Sequence, residues 1–394
     1  MQKKAIELSI IMPCLNEAES LPHCLSKAFS FLSANTIDGE VIVVDNGSTD
    51  NSASIARDYN AVVITESEKG YGNALMAGIT NSSGKYIIMG DADDSYDFSA
   101  IMPFLELLRQ GHDLIIGNRF KGSIQKGAMP FLHRYIGNPL LSFTGKLFFR
   151  IRIGDFHCGL RGFSRTCYDQ LELRTSGMEF ASEMIVKAAL LKFSITETPV
   201  ILYPDKRNQP SHLRTWRDGW RHLRFLLLYS PKWLFLIPGL ILLIFGIVGS
   251  ISLMTGPISI GGKRFDIHTL SYTSGFILLG FQFISLYFFS KLYAATHGLI
   301  PNQQKFISRF FQFFKLERGI IFGLLLFAGG LYLSTRSVLY WKHVGFGNLD
   351  PVKVLRWVIP SVTLLVLGVQ IIISCFYLSI LAIKITDLGK KSDN

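Results

Sequence analysis

Carboxylates are scarce in this chain: 29 Asp and Glu stand against 40 Lys and Arg, a formal net charge of +11. An excess of that size raises nucleic acid as a partner. Much of the surplus, however, lies close to the ends of long apolar stretches, where basic residues set topology and meet anionic lipid, so no nucleic acid is expected. Cysteine is sparse too: Cys14, Cys24, Cys158, Cys167 and Cys375 make an odd five without a CxxC pair. That excludes a disulfide framework and a cysteine zinc site, and suits free thiols in a reducing compartment. His157 stands beside Cys158, but no second pair has ligand spacing, so packing or a backbone role is the reading there. Internal repeats and low-complexity tracts are missing. Met1 to Glu7 is polar, so no signal peptide is expected and the first domain is expected to stay in the cytosol.

What the chain has in abundance is apolar surface: 49% hydrophobic residues, 31 of them Phe, and a mean hydropathy of +0.31. It is unevenly placed. Residues 1 to 228 mix charge and apolar runs as a globular domain does, whereas 229 to 394 is dominated by uncharged stretches. Four of these, about 233–254, 270–294, 319–340 and 357–383, approach or exceed the roughly 20 residues a helix needs to cross a bilayer. Basic residues crowd before the first (Arg214, Arg217, Arg221, Arg224, Lys232), between the second and third (Lys291, Lys305, Arg309, Lys315, Arg318) and in the tail (Lys390, Lys391). The positive-inside rule then puts the first domain and both termini in the cytosol. The expected location is a cell membrane, the bacterial cytoplasmic membrane being the favoured reading. Gln282 and Gln370 fall inside spans, where amides join helices of one chain or copies in a homo-oligomer.

In the first domain, Ile- and Val-rich runs recur at 8–14, 39–45, 61–65, 85–90 and 113–117, separated by helical spacing such as Leu21, Leu25, Ala28 and Leu32. Alternation of this kind predicts a mostly parallel sheet covered on both faces, with ligands at the carboxyl ends of its strands. Polar residues gather at those ends: Asn16 and Glu17, then Asp45, Asn46 and Ser48, then Asp91 and Asp93, then Asn118 and Arg119. Each cluster alone also fits a turn or a helix cap. Together at one edge, with the two carboxylates of "DAD" flanking Ala92, they point to a metal and nucleotide site. "GYGNAL" at 70–75 lacks the third glycine of a dinucleotide fingerprint.

"SIIMPCLNE", "VIVVDNGSTDNS", "KGYGNAL", "GDADD", "GNRF" and "CGLRGF", in this order, resemble family 2 glycosyltransferases of GT-A fold, and within them the polyprenyl-phosphate group that includes dolichyl-phosphate mannose and glucose synthases. The resemblance covers nearly all of residues 6 to 232. It implies an enzyme that moves a hexose, with inversion, from a UDP- or GDP-sugar to a polyprenyl phosphate such as undecaprenyl or dolichyl phosphate. It implies Mg2+ or Mn2+ on Asp93 first and Asp91 second, with Pro13, Leu15, Glu17, Asp45, Asn46, Asp91, Ala92 and Asp93 around the nucleotide sugar. Arg119, Arg134 and Asn138 match positions that hold the acceptor phosphate. Glu183 falls where inverting relatives acting on alcohols carry their base; with a phosphate acceptor it is expected instead to orient the sugar or shape the site, and it is counted with Asp93, Arg119 and Arg134 as catalytic. Asp94 and Asp97 read as solvated or capping, and Asp155 with Arg161 as a buried pair. The relatives' Arg-x-x-Gly-x-Ser-Lys element is replaced here by "KRNQPSHLR", where Arg207 and His212 stand in as phosphate ligands. Residues 212–228 then place Leu213, Trp216, Trp220, Leu223 and Leu227 on one face beside arginines, the pattern of an interfacial helix on anionic lipid. Two alternatives remain: a processive polysaccharide synthase, though "LRTW" lacks the Gln of that class, and a lipid-linked sugar translocator or scaffold.

Overall fold

Seven strands build one sheet in the computed structural model, which describes residues 6–205, 215–296 and 316–389. β1 (Leu8–Cys14) lies between β2 (Gly39–Asp45) and β4 (Tyr86–Met89), both parallel to it, and β3 (Val62–Thr65) extends the β2 edge. Beyond β4 come β6 (Arg161–Ser164), β5 (Leu114–Ile124) and β7 (Ile195–Leu202), giving the order β3-β2-β1-β4-β6-β5-β7. Only β6 runs antiparallel to its neighbours. This is the expected mostly parallel GT-A sheet, and its central strands are buried at every position but Pro13 because helices cover both faces.

α1 (Leu21–Ala34) shows how the pattern becomes packing: Leu21, Leu25, Ala28 and Leu32 are all buried, and Pro22 occupies a first-turn position where no N–H is needed. Two strands went unmarked in the sequence. β6 is four residues including an arginine and a glycine, and β7 has only the short apolar run Val200–Leu202 after Glu197 and Pro199. β5 also continues to Ile124, past the expected 117, along exposed residues that pair with β7 after a register shift between Asn118 and Ser123.

The chain divides into two compact units, Met1–Tyr229 and Ser230–Asn394. In the second, four helices are long and apolar enough to cross a membrane: Lys232–Met254, Ile267–Ala295, Leu316–His343 and Pro351–Leu381. Small residues let them approach closely. Gly246 lies against Thr273 and Ile277, and Gly323 and Gly330 face Gly368 and Ser361. Ser250 Oγ donates to Thr273 Oγ1 at 2.9 Å. Arg356 at the start of the fourth helix donates to Asp266 and to the Leu253 carbonyl, tying that helix to the link between the first two. Gln370 Oε1 is buried without a hydrogen-bond partner among the described residues.

α8 (Thr215–Leu228) contains the described part of the expected interfacial helix. It is docked rather than lying free: His222, Phe225 and Leu226 are buried, Leu223 and Leu227 are half-buried, and Trp220 and Leu228 point outward.

Candidate active site

The loops after β1, β2, β4 and β5 emerge at one edge of the sheet. The first two are laced together. Asn16 is held at φ 58°, where its N–H donates to Ser48 Oγ at 3.0 Å and its side-chain oxygen accepts from Thr49 N at 2.8 Å. Glu17 N donates to Ser52 Oγ at 2.9 Å. The register sets Cys14 opposite Asp45, a buried carboxylate that accepts from Ser48 N at 2.9 Å. Pro13 is half-buried and Leu15 exposed at the rim. Asn46 is fixed by the neighbouring loop. Its amide donates to the carbonyls of Glu66 and Glu68 and accepts from Gly70 N, so it braces the 66–70 segment.

The acidic run after β4 sorts itself residue by residue. Asp91 Oδ1 accepts from Tyr71 Oη at 3.1 Å, and Asp93 Oδ1 from Ser95 N at 3.1 Å. Ala92, between them, turns its carbonyl to Ser20 Oγ at 2.8 Å, and the same hydroxyl reaches Glu17 at 2.9 Å. Asp97 caps the following turn through Ser99 N, as expected. Asp94 is neither solvated nor capping: buried at φ 58°, it pairs with Lys27 of α1 at 2.7 Å. The site suits a divalent cation. Its donors are hard carboxylates, and a β-carbon at Gly159 would stand 2.5 Å from Asp91 Oδ2, so the glycine keeps the space beside that carboxylate open. Among the described residues no three His, Cys, Asp or Glu side chains form a metal cage.

Midway along β5, where its register with β7 shifts, Arg119 is buried and forks onto Asp155, Nε to Oδ2 at 2.7 Å and Nη2 to Oδ1 at 2.8 Å. Burial opposes its charge, but the partners outweigh it and raise the guanidinium's pKa above its ordinary value. Asp155 also receives Arg119 N and His157 N, while Glu197 of β7 takes Gly154 N and Asp155 N and pairs with Lys121 at 2.8 Å. The expected Asp155–Arg161 pair is therefore replaced by Asp155–Arg119. Arg161, wholly buried, instead donates to the carbonyls of Phe156, Cys158 and Ala181.

Glu183 on α7 (Phe180–Leu191) is also fully buried. Its Oε2 accepts from Arg174 N, Thr175 N and Thr175 Oγ1 at 3.0, 2.9 and 2.7 Å, and its Oε1 lies 2.8 Å from Lys187 Nζ. Burial pushes the carboxyl up, but Lys187 and these donors hold it below the ordinary glutamate value. The 174–176 loop so fixed presents the Ser176 carbonyl to Gly72 N at 2.9 Å, at the start of α3 (Tyr71–Thr80). "GYG" thereby gains a physical reason: side chains at 70 or 72 would run into the Ser176 or Thr175 carbonyl, and Gly70 has φ +147°. The Glu183 carboxylate is thus engaged by Lys187 and by the 174–176 loop.

Arg134 lies half-buried in the turn His133–Gly137, its guanidinium 5.5 Å from the Tyr135 ring centre. Asn138 opens α5 (Asn138–Phe149) with its amide on Met129 Sδ. Arg207 and His212 lie outside the described residues. Sequence reasoning missed Tyr71, Tyr96 and Lys27, although all three sit in or one helix away from quoted motifs. Tyr96 Oη accepts from Gly159 N at 3.1 Å, joining the acidic loop to the 155–159 segment. The site cysteines are inert: burial pushes Cys14 up to about 12 and Cys158 up to about 11.

Comparison with known proteins agrees with this geometry. Residues 9–171 match the family model "Glycosyl transferase family 2", and 288–382 match "Glycosyltransferase family 2 C-terminal transmembrane region". A low-salt glycan biosynthesis hexosyltransferase of Haloferax volcanii is 35% identical over 372 residues, 94% of this chain and 88% of that protein. A dolichyl-phosphate hexose transferase of the same organism is 28% identical over 196 residues, 49% of this chain and 82% of that one. A glucosyl-3-phosphoglycerate synthase structure from Mycobacterium tuberculosis aligns with TM-score 0.45 at 18% identity, over 58% of this chain and 81% of that chain, too distant to bear on function. With a full-length relative of this similarity, and a membrane region of the same family behind the catalytic fold, the chain belongs to glycosyltransferase family 2 and is a membrane-bound glycosyltransferase.

Proposed function

We propose that the chain transfers a hexose, with inversion, from a UDP- or GDP-sugar to a polyprenyl phosphate at the cytosolic face of the membrane. The observation that carries this reading is the commitment of Glu183. The carboxylate in the place of a base is locked to Lys187 and the 174–176 loop, while Arg119 stands clamped on Asp155. A hydroxyl acceptor needs a base, whereas a phosphate acceptor is already ionised and needs cations to hold it.

In this reading Pro13, Leu15, Glu17 and Asp45 border the base and ribose, and Asp93 with Asp91 would hold Mg2+ or Mn2+ against the donor diphosphate. Bound there, the ion would neutralise charge growing on the leaving diphosphate. Arg119, Arg134 and Asn138 align the acceptor phosphate behind the anomeric carbon. A phosphate oxygen forms the new C–O bond as the bond to the diphosphate breaks and its electron pair departs with the nucleotide, so no proton moves and the configuration inverts. Arg134→Ala tests this division of labour. Acceptor KM should rise about tenfold or more, the loss of a hydrogen bond to a charged group, while donor affinity stays within twofold. Equal loss of donor and acceptor binding would remove Arg134 from the acceptor site.

A further inference from the structure

The two hairpins of the membrane unit turn at the same end, the one away from Lys232, where the chain enters its first span. Arg356 joins them there, donating to Asp266 and to the Leu253 carbonyl. By the positive-inside rule, with both chain ends on the other side, this end should be poor in Lys and Arg. Residues 255–266 and 336–356 instead carry Lys263, Arg264, Arg336, Lys342, Lys353 and Arg356, against Asp266 and Asp350 alone. Both acids are committed within the chain. Asp266 accepts from Arg356 and lies 3.5 Å from Arg264, and Asp350 caps the fourth span through Val352 N at 2.9 Å. Arg336, Lys342 and Lys353 therefore have no carboxylate partner among the described residues.

Arg336 is nevertheless held in place. Its guanidinium lies 4.9 Å from the centre of the Trp357 ring, and Tyr340, one turn along the same helix, packs edge-on against that ring at 5.6 Å. Lys353 stands one turn before Trp357 on the same face of the fourth span. Both cations are exposed. A guanidinium braced on an indole is ordered while its N–H edge stays available.

Depth decides what that edge meets. The third span, Leu316–His343, has 28 residues, about 42 Å of helix against about 30 Å of hydrocarbon. Arg336 lies about 10 Å before its end. Trp357 follows Arg356, which reaches the carbonyl of Leu253 where the apolar run of the first span finishes. Both residues are thus set where hydrocarbon gives way to headgroups. Aromatic rings are ordinary at that level; an arginine fork with a lysine one turn outward matches a phosphate.

We propose that Arg336, Tyr340, Lys353 and Trp357 form a binding site for the phosphate of a lipid in the leaflet at the hairpin end. Arg336 holds the phosphate oxygens, Lys353 adds a second charge from the water side, and the lipid chains lie along the third and fourth spans. A polyprenyl phosphate, with or without its sugar, and a bulk anionic phospholipid share this chemistry. The first source rests on the polyprenyl-phosphate reading and would give the second hairpin the task of holding that lipid in the leaflet away from Lys232. The site itself does not rest on that reading.

The test is native mass spectrometry of the full chain released from detergent, with undecaprenyl phosphate, undecaprenol or phosphatidylglycerol added. Arg336→Gln with Lys353→Gln should lose one phosphorylated lipid per chain, its affinity falling about tenfold or more. Arg336→Lys, which keeps the charge without the fork, should lose less, and serves if glutamine disturbs the hairpin. Lys263→Gln in the exposed turn should match the wild type. A loss seen only with undecaprenyl phosphate assigns the site to polyprenyl phosphate; a loss with phosphatidylglycerol assigns it to bulk phospholipid, and the phosphate site stands in both cases. Unchanged binding in the double variant would overturn it, as would an equal loss in Lys263→Gln or undecaprenol retained as tightly as its phosphate. Transfer to a short isoprenyl phosphate in detergent should be the same in the double variant and the wild type. If the wild type transfers to no isoprenyl phosphate, the polyprenyl-phosphate reading fails while the binding measurements still decide the site.

Discussion

Replacing Glu183 by glutamine separates a buried strut from a catalytic base. The substitution keeps the shape and removes the charge. If the amide oxygen stays on Arg174 N and Thr175, the amide NH2 faces Lys187 and two donors oppose each other. If the amide turns over, the loop loses its acceptor. Lys187 retains only the Glu172 carbonyl at 2.6 Å. Breaking one side of a buried ion pair costs about 3–5 kcal/mol. For a domain of the size of Met1–Tyr229, each kcal/mol lowers Tm by about 2–4 °C, so a fall of about 6–20 °C is expected. A general base makes the opposite forecast: Tm unchanged, and kcat down by about a hundredfold to ten-thousandfold. The assay is thermal unfolding of detergent-solubilised protein beside transfer kinetics well below the new Tm. Glu183→Gln should melt early and keep a measurable share of kcat, and adding Lys187→Met should restore part of the stability. An unshifted Tm with a kcat loss of a thousandfold or more would refute the positioning role.

Gly72→Ala places a β-carbon 2.2 Å from the Thr175 carbonyl. It should therefore weaken donor binding and stability together, measured by nucleotide titration and melting; an unaltered variant would show that the GYG contact carries nothing. Asp93→Ala should abolish transfer with Tm lowered by no more than a few degrees, and near-normal turnover in chelator would remove the metal from the account. Acid should act through Glu183 and Glu197, whose folded pKa values lie below 4.5. Their contribution is complete above the unfolded value and fades as pH falls through the folded ones. Tm should thus drop below about pH 4.5 and do so less steeply in Glu183→Gln; identical acid profiles would contradict this.

What the sequence discloses here are features written locally. The central strands are runs of Ile and Val, α1 is a spacing of three and four, and the spans are lengths of apolar chain; each lies close to where the pattern places it. The acidic stretch after β4 is equally visible as a site. The identity of each carboxylate's partner is not, because Lys27, Tyr71 and Arg119 meet their acids across the fold. Asn46 and Glu183 illustrate the same gap, since the backbone groups that fix each side chain lie elsewhere in the chain. β6 escapes detection because a strand holding a buried arginine has no apolar signature.

The most direct measurement of the central claim is the product itself. Purified full-length protein would be incubated with labelled UDP- and GDP-sugars, polyprenyl phosphate and Mg2+ or Mn2+, and the lipid extract weighed by mass spectrometry. The account predicts one species, a polyprenyl phosphate bearing a single hexose, formed by the wild type and missing with Asp93→Ala. A growing polysaccharide, or a hexose joined to a hydroxyl in place of the phosphate, would contradict it.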